Sequence, residues 1–311
     1  MKKIFLLAIA AVFAAATVSA QDLEQATNTY NNGVMALQLG DNASALDSFR
    51  QALTMAEACG ETGAEVAANC KNVIPGVMLS MAKDKIQAKD YDNAITSLNE
   101  AAAAAKEYGN TDVETEAGEL VPQVLLQKAN DLLKAKDFTN AVSAYNEAIA
   151  ADPENGRAYL LLGSAYASSG KIAEAEAAYT KAGELGESSD AAKQLTNLYL
   201  RLANSYYKAQ KYNDAVVAAE KSISYNANNA NAYLIAANSS QKGGNNDAAI
   251  SYFEKYISMP KAKNVNAYTF TIAVLYQQAG NKEKAIEYYQ KVASDAQYGT
   301  QAQEQLKALQ Q

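Results

Sequence analysis

The sequence predicts an all-α protein, a right-handed α-solenoid of about seven helix-turn-helix units closed by a C-terminal capping helix. Three observations predict it. Alanine, the best helix former, accounts for 64 of the 311 residues, and only four prolines interrupt the chain. An Ala followed by an aromatic at +4 and a small residue at +7 recurs along the chain, a spacing that sets all three on one helical face. A site not used to find that pattern repeats with it: the residue twelve before each of the seven anchors is Gly or Ala.

The elements follow in order. Lys2 and Lys3 precede an unbroken apolar run from Ile4 to Ala16, too short for a membrane span of about 20 residues. Val18-Ser19-Ala20 then has the small residues of a signal-peptidase site, so residues 1–20 read as a leader cleaved between Ala20 and Gln21. Cleavage leaves 291 residues and takes the net charge from −7 to −9. A short basic start and an Ala-rich leader look bacterial and point to the periplasm, or to secretion, with no integral membrane segment in the mature chain. The repeats divide into residues 21–121, with two units of extended helices, 122–190 with units three and four, and 191–311 with units five to seven and the capping helix.

The anchors begin Ala45-Phe49-Ala52, Ala94-Leu98-Ala101, Ala141-Tyr145-Ala148, Ala175-Tyr179-Ala182, Ala215-Ala219-Ser222, Ala249-Phe253-Tyr256 and Ala285-Tyr289-Val292. Facing them stand Gly33, Ala82, Ala129, Gly163, Ala203, Ala237 and Ala273. Five residues before the anchor a helix should stop. Gly40, Gly170, Gly244 and Gly280 do this in four copies, and Lys89, Lys136 and Gln210 occupy the site in the rest. The first two spacings, 49 and 47, are long. Thr62-x-x-Glu65 and Thr111-x-x-Glu114 read as capping boxes that start early helices, expected to bend or restart at Pro75 and Pro122. Ser188 or Ser189 should cap a third early helix, and Thr300-x-x-Gln303 a last one over 301–310.

Composition excludes several chemistries. Without His there is no Ser-His-Asp or Cys-His pair and no imidazole metal ligand. Two cysteines do not make a four-thiolate metal site, and a net charge of −7 argues against nucleic acid. Carboxylates such as Glu174 and Glu176 fall where caps and solvated helix faces put them, and no cofactor or catalytic group is expected. Cys59 and Cys70 fit a structural disulfide better than a redox pair. The bridge is demanding if Cys59 ends one helix and Cys70 lies two turns into the next, because bridged Cα atoms must lie within about 7 Å.

Tyr159, Leu162, Gly163, Tyr166, Gly170, Ala175, Tyr179 and Ala182 match the signature sites of the tetratricopeptide repeat, with Asp152-Pro153 ending the preceding unit. The chain therefore resembles a tetratricopeptide-repeat protein over nearly all of residues 23–311. Tyr159, Tyr199 and Tyr233 stand where that family has Trp. The 34-residue spacings suit this family better than the related Sel-like repeats. The resemblance implies a concave face built from first helices, which binds a protein or peptide. The row Leu126, Leu160, Leu200, Leu234 and Phe270 would take its side chains. One turn on, Asn130, Asn204 and Asn238 would bond its backbone. The Lys and Arg clamp that other members close on a terminal carboxylate is not reproduced. A structural or carbohydrate-associated role in the envelope, at peptidoglycan or in outer-membrane assembly, is the second reading.

Overall fold

The computed structural model describes the backbone of residues 2–310 and the side chains of residues 20–310. It is all helical, and among the described residues there is no strand. Seven helix pairs follow one another: α1 (Lys2–Gln38) with α2 (Asn42–Ala58), α3 (Ala64–Gln87) with α4 (Tyr91–Tyr108), α5 (Thr111–Lys134) with α6 (Phe138–Ala151), α7 (Gly156–Ser168) with α8 (Ile172–Ala182), α9 (Ser188–Lys208) with α10 (Tyr212–Tyr225), α11 (Ala230–Lys242) with α12 (Asn246–Ile257), and α13 (Val265–Gln278) with α14 (Lys282–Val292). A last helix, α15 (Gly299–Gln310), packs on α14. The chain forms two compact units, Met1–Glu154 and Asn155–Gln311. The expected cleavage residues Ala20 and Gln21 lie within α1 with exposed side chains. Among the described residues no helix is long and apolar enough to cross a membrane.

The core of each pair is the repeat itself. All seven anchor alanines are fully buried, and so are the five facing alanines. At the other two facing sites a side chain would have no room. A Cβ on Gly33 would meet the Phe49 ring at 2.8 Å, and one on Gly163 the Tyr179 ring at 2.6 Å. Small residues on one helix thus let the ring of its partner lie flat against the backbone.

Every pair turns in the same way. The residue at the turn is left-handed in all seven, from Gly40 at φ 76° to Gly280 at φ 76°. The next residue donates its N–H back across the turn, as from Asp41 to Ala36 O and from Asn281 to Tyr276 O, both at 2.9 Å. That same residue starts the second helix. The side chains of Asp41, Asp137, Asn245 and Asn281 each accept the N–H three residues on. Lys89, Lys136 and Gln210 adopt φ of 60°, 62° and 59° without being glycine. A left-handed residue with a Cβ is strained by roughly 1–2 kcal/mol, part of which glycine returns as unfolded-chain entropy. Lys136→Gly and Gln210→Gly are therefore each expected to stabilise the protein by about 0.5–1 kcal/mol, read as a rise in urea midpoint. A fall in midpoint for both would contradict strain at these turns.

Several local expectations are corrected by packing. Thr62 does not cap α3: Gly63 occupies the N-cap, and the Thr62 hydroxyl donates to Cys59 O at 2.9 Å within the 3-10 turn Gly60–Gly63. Asn110, not Thr111, caps α5 by accepting from Val113 N. α9 does start at Ser188, but after an irregular segment, Gly183–Glu187, in which Gly186 reaches φ 100°, and no side chain caps it. α15 begins at Gly299, before Thr300, where the Asp295 carboxylate accepts from the N–H groups of Gln297 and Tyr298. α3 and α5 run unbroken through Pro75 and Pro122. The backbone bond each proline deletes is offset by packing of these helices on the neighbours before and after them.

The two cysteines are free thiols, so the expected disulfide is not formed. Cys59 ends α2, whereas Cys70 points into the core of α3 among apolar side chains. Burial pushes the Cys70 thiol up to about 11, which leaves it unreactive at neutral pH.

Candidate partner-binding face

The apolar row expected on the first helices is half-buried at Leu126, Leu160, Leu200, Leu234 and Phe270. Its members are not equivalent. Leu160 and Leu234 pack against the cores of their neighbours. Phe270 stacks on Tyr298 and meets Tyr289 edge-on, with both centroids at 5.5 Å. Leu200 lines an open cleft in the second compact unit.

The polar row divides more sharply. Tyr145 lies in the core and donates its hydroxyl to Asn130 Oδ1 at 2.7 Å. Burial pushes that phenol up to about 12, so it stays a donor. Tyr179 repeats the contact with the Ser164 hydroxyl at 3.2 Å. These two polar residues therefore satisfy a buried tyrosine. Where the second helix has no tyrosine at that site, its partner is released. Asn204 faces Ala219 and is exposed, and Asn238 faces Phe253 and is half-buried. Among the described residues neither amide side chain has a hydrogen-bond partner. Asn204 and Asn238 are thus the two members of the row with both donor and acceptor available.

The second helices carry links between successive repeats that the sequence reading missed. Glu220, on α10, accepts from the Tyr252 hydroxyl of α12. One repeat later, Glu254 on α12 accepts from Tyr288 of α14 at 2.8 Å and from Tyr276 of α13 at 2.8 Å. Both Glu residues stand five after their anchors, and Tyr252 and Tyr288 stand three after theirs, which is the signal that would have found them. Glu176, read as a solvated carboxylate, is instead the hub of a third link. It accepts from the hydroxyls of Tyr199 and Tyr225 and from Lys221 Nζ at 3.1 Å, and Lys221 also lies 4.7 Å from the Tyr199 ring centroid.

Burial pushes the Glu176 carboxyl up, but hydrogen bonds from Tyr199, Lys221 and Tyr225 outweigh it and hold the group below its ordinary value. A carboxyl depressed in the folded state stabilises fully above its unfolded pKa of about 4.3, and that contribution fades as pH falls through the folded value. Part of the acid destabilisation of the second unit is therefore expected to vanish in Glu176→Gln. Melting temperatures of the two proteins measured from pH 6 to pH 3 should converge at the acid end, and a constant gap would exclude this carboxylate as a titrating contact.

No catalytic arrangement emerges from these groups. Among the described residues no set of three Cys, Asp or Glu side chains is placed to hold a metal ion.

Family models described as tetratricopeptide repeat match residues 126–190, 200–264 and 269–294. No curated protein matches the chain significantly. Among solved structures the chain is similar to MamA, with 23% identity over 57% of this chain and 95% of that one and a TM-score of 0.32. It is similar to YrrB, described as a TPR protein with an unusual peptide-binding site, with 21% identity over 58% and 91% and a TM-score of 0.32. A tetratricopeptide repeat protein from Parabacteroides merdae matches at 16% identity over 94% of this chain and 100% of that one, with a TM-score of 0.29.

Proposed function

Because the chain belongs to the tetratricopeptide-repeat family, we propose that it is a non-catalytic interaction scaffold of the bacterial cell envelope that holds an extended segment of a partner protein along its first helices. The observation that carries the reading is the division of the polar row. Asn130 and Ser164 are committed to tyrosines inside their own repeats, whereas Asn204 and Asn238 are not. An unpaired asparagine beside a half-buried leucine offers what an extended strand needs, a donor and acceptor for its backbone and an apolar seat for a side chain. Export rests on the leader: Lys2-Lys3, the apolar run Ile4–Ala16 and the small residues Val18-Ser19-Ala20.

In-cell crosslinking tests the reading. Asn204→Ala combined with Asn238→Ala is expected to reduce partner capture about tenfold, as the loss of two hydrogen bonds implies, with the melting temperature unchanged. Undiminished capture would remove these residues from the binding face. The intact mass of protein recovered from the periplasm should begin at Gln21.

A further inference from the structure

The net charge of −7 conceals an uneven distribution. The compact unit Met1–Glu154 holds eleven Lys and Arg against twenty-one Asp and Glu, a net −10. The unit Asn155–Gln311 holds sixteen against thirteen, a net +3. That excess has a focus. A cleft of about 660 Å³ in the second unit is lined by the start of α9, the loop from α10 to α11 and the loop from α12 to α13. Lys193, Lys261 and Lys263 reach it from two separate elements, and no Asp or Glu lines it. All three lysines are exposed, and among the described residues none makes an ion pair.

The cleft is also organised. The Tyr256 hydroxyl accepts from Lys263 N at 2.9 Å and donates to Lys263 O at 3.2 Å, which pins the lysine loop to α12. In the facing loop Asn226 Oδ1 accepts from Asn228 N at 3.0 Å, and Asn229 donates to the Ser222 hydroxyl at 3.3 Å. These bonds fix the backbone and leave the exposed side chains of Asn197, Asn228 and Asn231 without an internal partner among the described residues. Three amides that both donate and accept, ringed by three unpaired ammonium groups with no competing carboxylate, match one ligand class: a peptide backbone carrying acidic side chains.

We infer that this cleft binds an internal, extended acidic segment of the partner protein. The site rests on the scaffold reading but is distinct from the Asn204 and Asn238 positions, and only Leu200 belongs to both faces. A fixed loop lowers the ordering cost of binding, and unpaired lysines steer acidic chains towards it.

The test uses the full mature chain and a fluorescent synthetic peptide of alternating Asp and Ser. Fluorescence anisotropy at low salt should show binding that weakens with added salt and is absent for the matching Asn-Ser peptide. Lys193→Ala, Lys261→Ala and Lys263→Ala together should weaken it about tenfold or more, with far-UV circular dichroism and melting temperature unchanged, while Lys136→Ala in the other unit has no effect. Equal binding of the two peptides, or full binding by the triple variant, would overturn the inference. So would preferential binding of a uronic-acid oligosaccharide, which would make the cleft a glycan site. Salt-sensitive self-association abolished by the triple variant would overturn it in favour of the acidic unit of a second copy. Crosslinked partners that persist in the triple variant but depend on Asn204 and Asn238 would sink this site and leave the scaffold reading standing; loss of dependence on both faces would sink the scaffold reading itself.

Discussion

Replacing Tyr145 with alanine is expected to destabilise the first compact unit by about 3–5 kcal/mol, the range for emptying a buried aromatic site. Its ring is fully buried beside the fully buried Ala129 and Ala141. The facing and anchor positions, Ala129 and Ala141, are too small to fill the space. The cavity therefore persists. Tyr145→Phe separates the ring from the hydroxyl. It keeps the packing and removes only the 2.7 Å bond to Asn130, whose half-exposed amide can turn to water, so about 1 kcal/mol or less is expected. Urea unfolding followed by far-UV circular dichroism gives both numbers. Similar losses for the two variants would mean that the hydrogen bond, not the ring, holds this repeat together.

The second large effect is expected at a residue with no side chain. A Cβ on Gly63 would lie 2.0 Å from the Ala56 carbonyl oxygen and 2.8 Å from its carbon. Both are backbone atoms of α2, so no side-chain rotation relieves the clash. Gly63 has a negative φ, −92° with ψ −2°, in a region open to residues with a side chain, so the effect is chiefly the steric clash. Gly63→Ala should cost about 3 kcal/mol, the top of the usual overpacking range, by prising α3 from the end of α2. Gly40→Ala makes the contrast. Gly40 has φ 76° and no heavy atom near the added carbon, so only left-handed strain applies, roughly 1–2 kcal/mol. If Gly63→Ala cost no more than Gly40→Ala in the same unfolding assay, the junction between α2 and α3 would be free to shift.

Much of this architecture was legible before any coordinates. The anchors, the facing small residues and the turn positions all came from spacing, and each is buried or left-handed where spacing placed it. Local chemistry was less reliable. Thr62 and Glu65 form a sound capping pattern, but close contact between Gly63 and Ala56 fixes where α3 begins. Pro75 and Pro122 are sound breakers, yet helices packed on both sides carry α3 and α5 through them. Spacing placed Lys89, Lys136 and Gln210 at turns, but their residue types do not favour a left-handed backbone, and the helices they join impose it. In each case tertiary packing outweighs a preference of one or a few kcal/mol.

The binding face shows the same division. The sequence alone determined that this is a repeat of paired helices, that the pairs approach through small residues, and that in most units an aromatic ring fills the space beside them. Those features depend on intervals of four to twelve residues, which a helix converts directly into shared faces. Only the tertiary structure decided which polar residues are spent. Asn130 and Asn204 look alike in sequence, and a tyrosine on the opposing helix claims one and not the other. It likewise brought Lys193 into the same cleft as Lys261 and Lys263. Residues so far apart in the chain meet only after the repeats have stacked, and no local spacing records that they do.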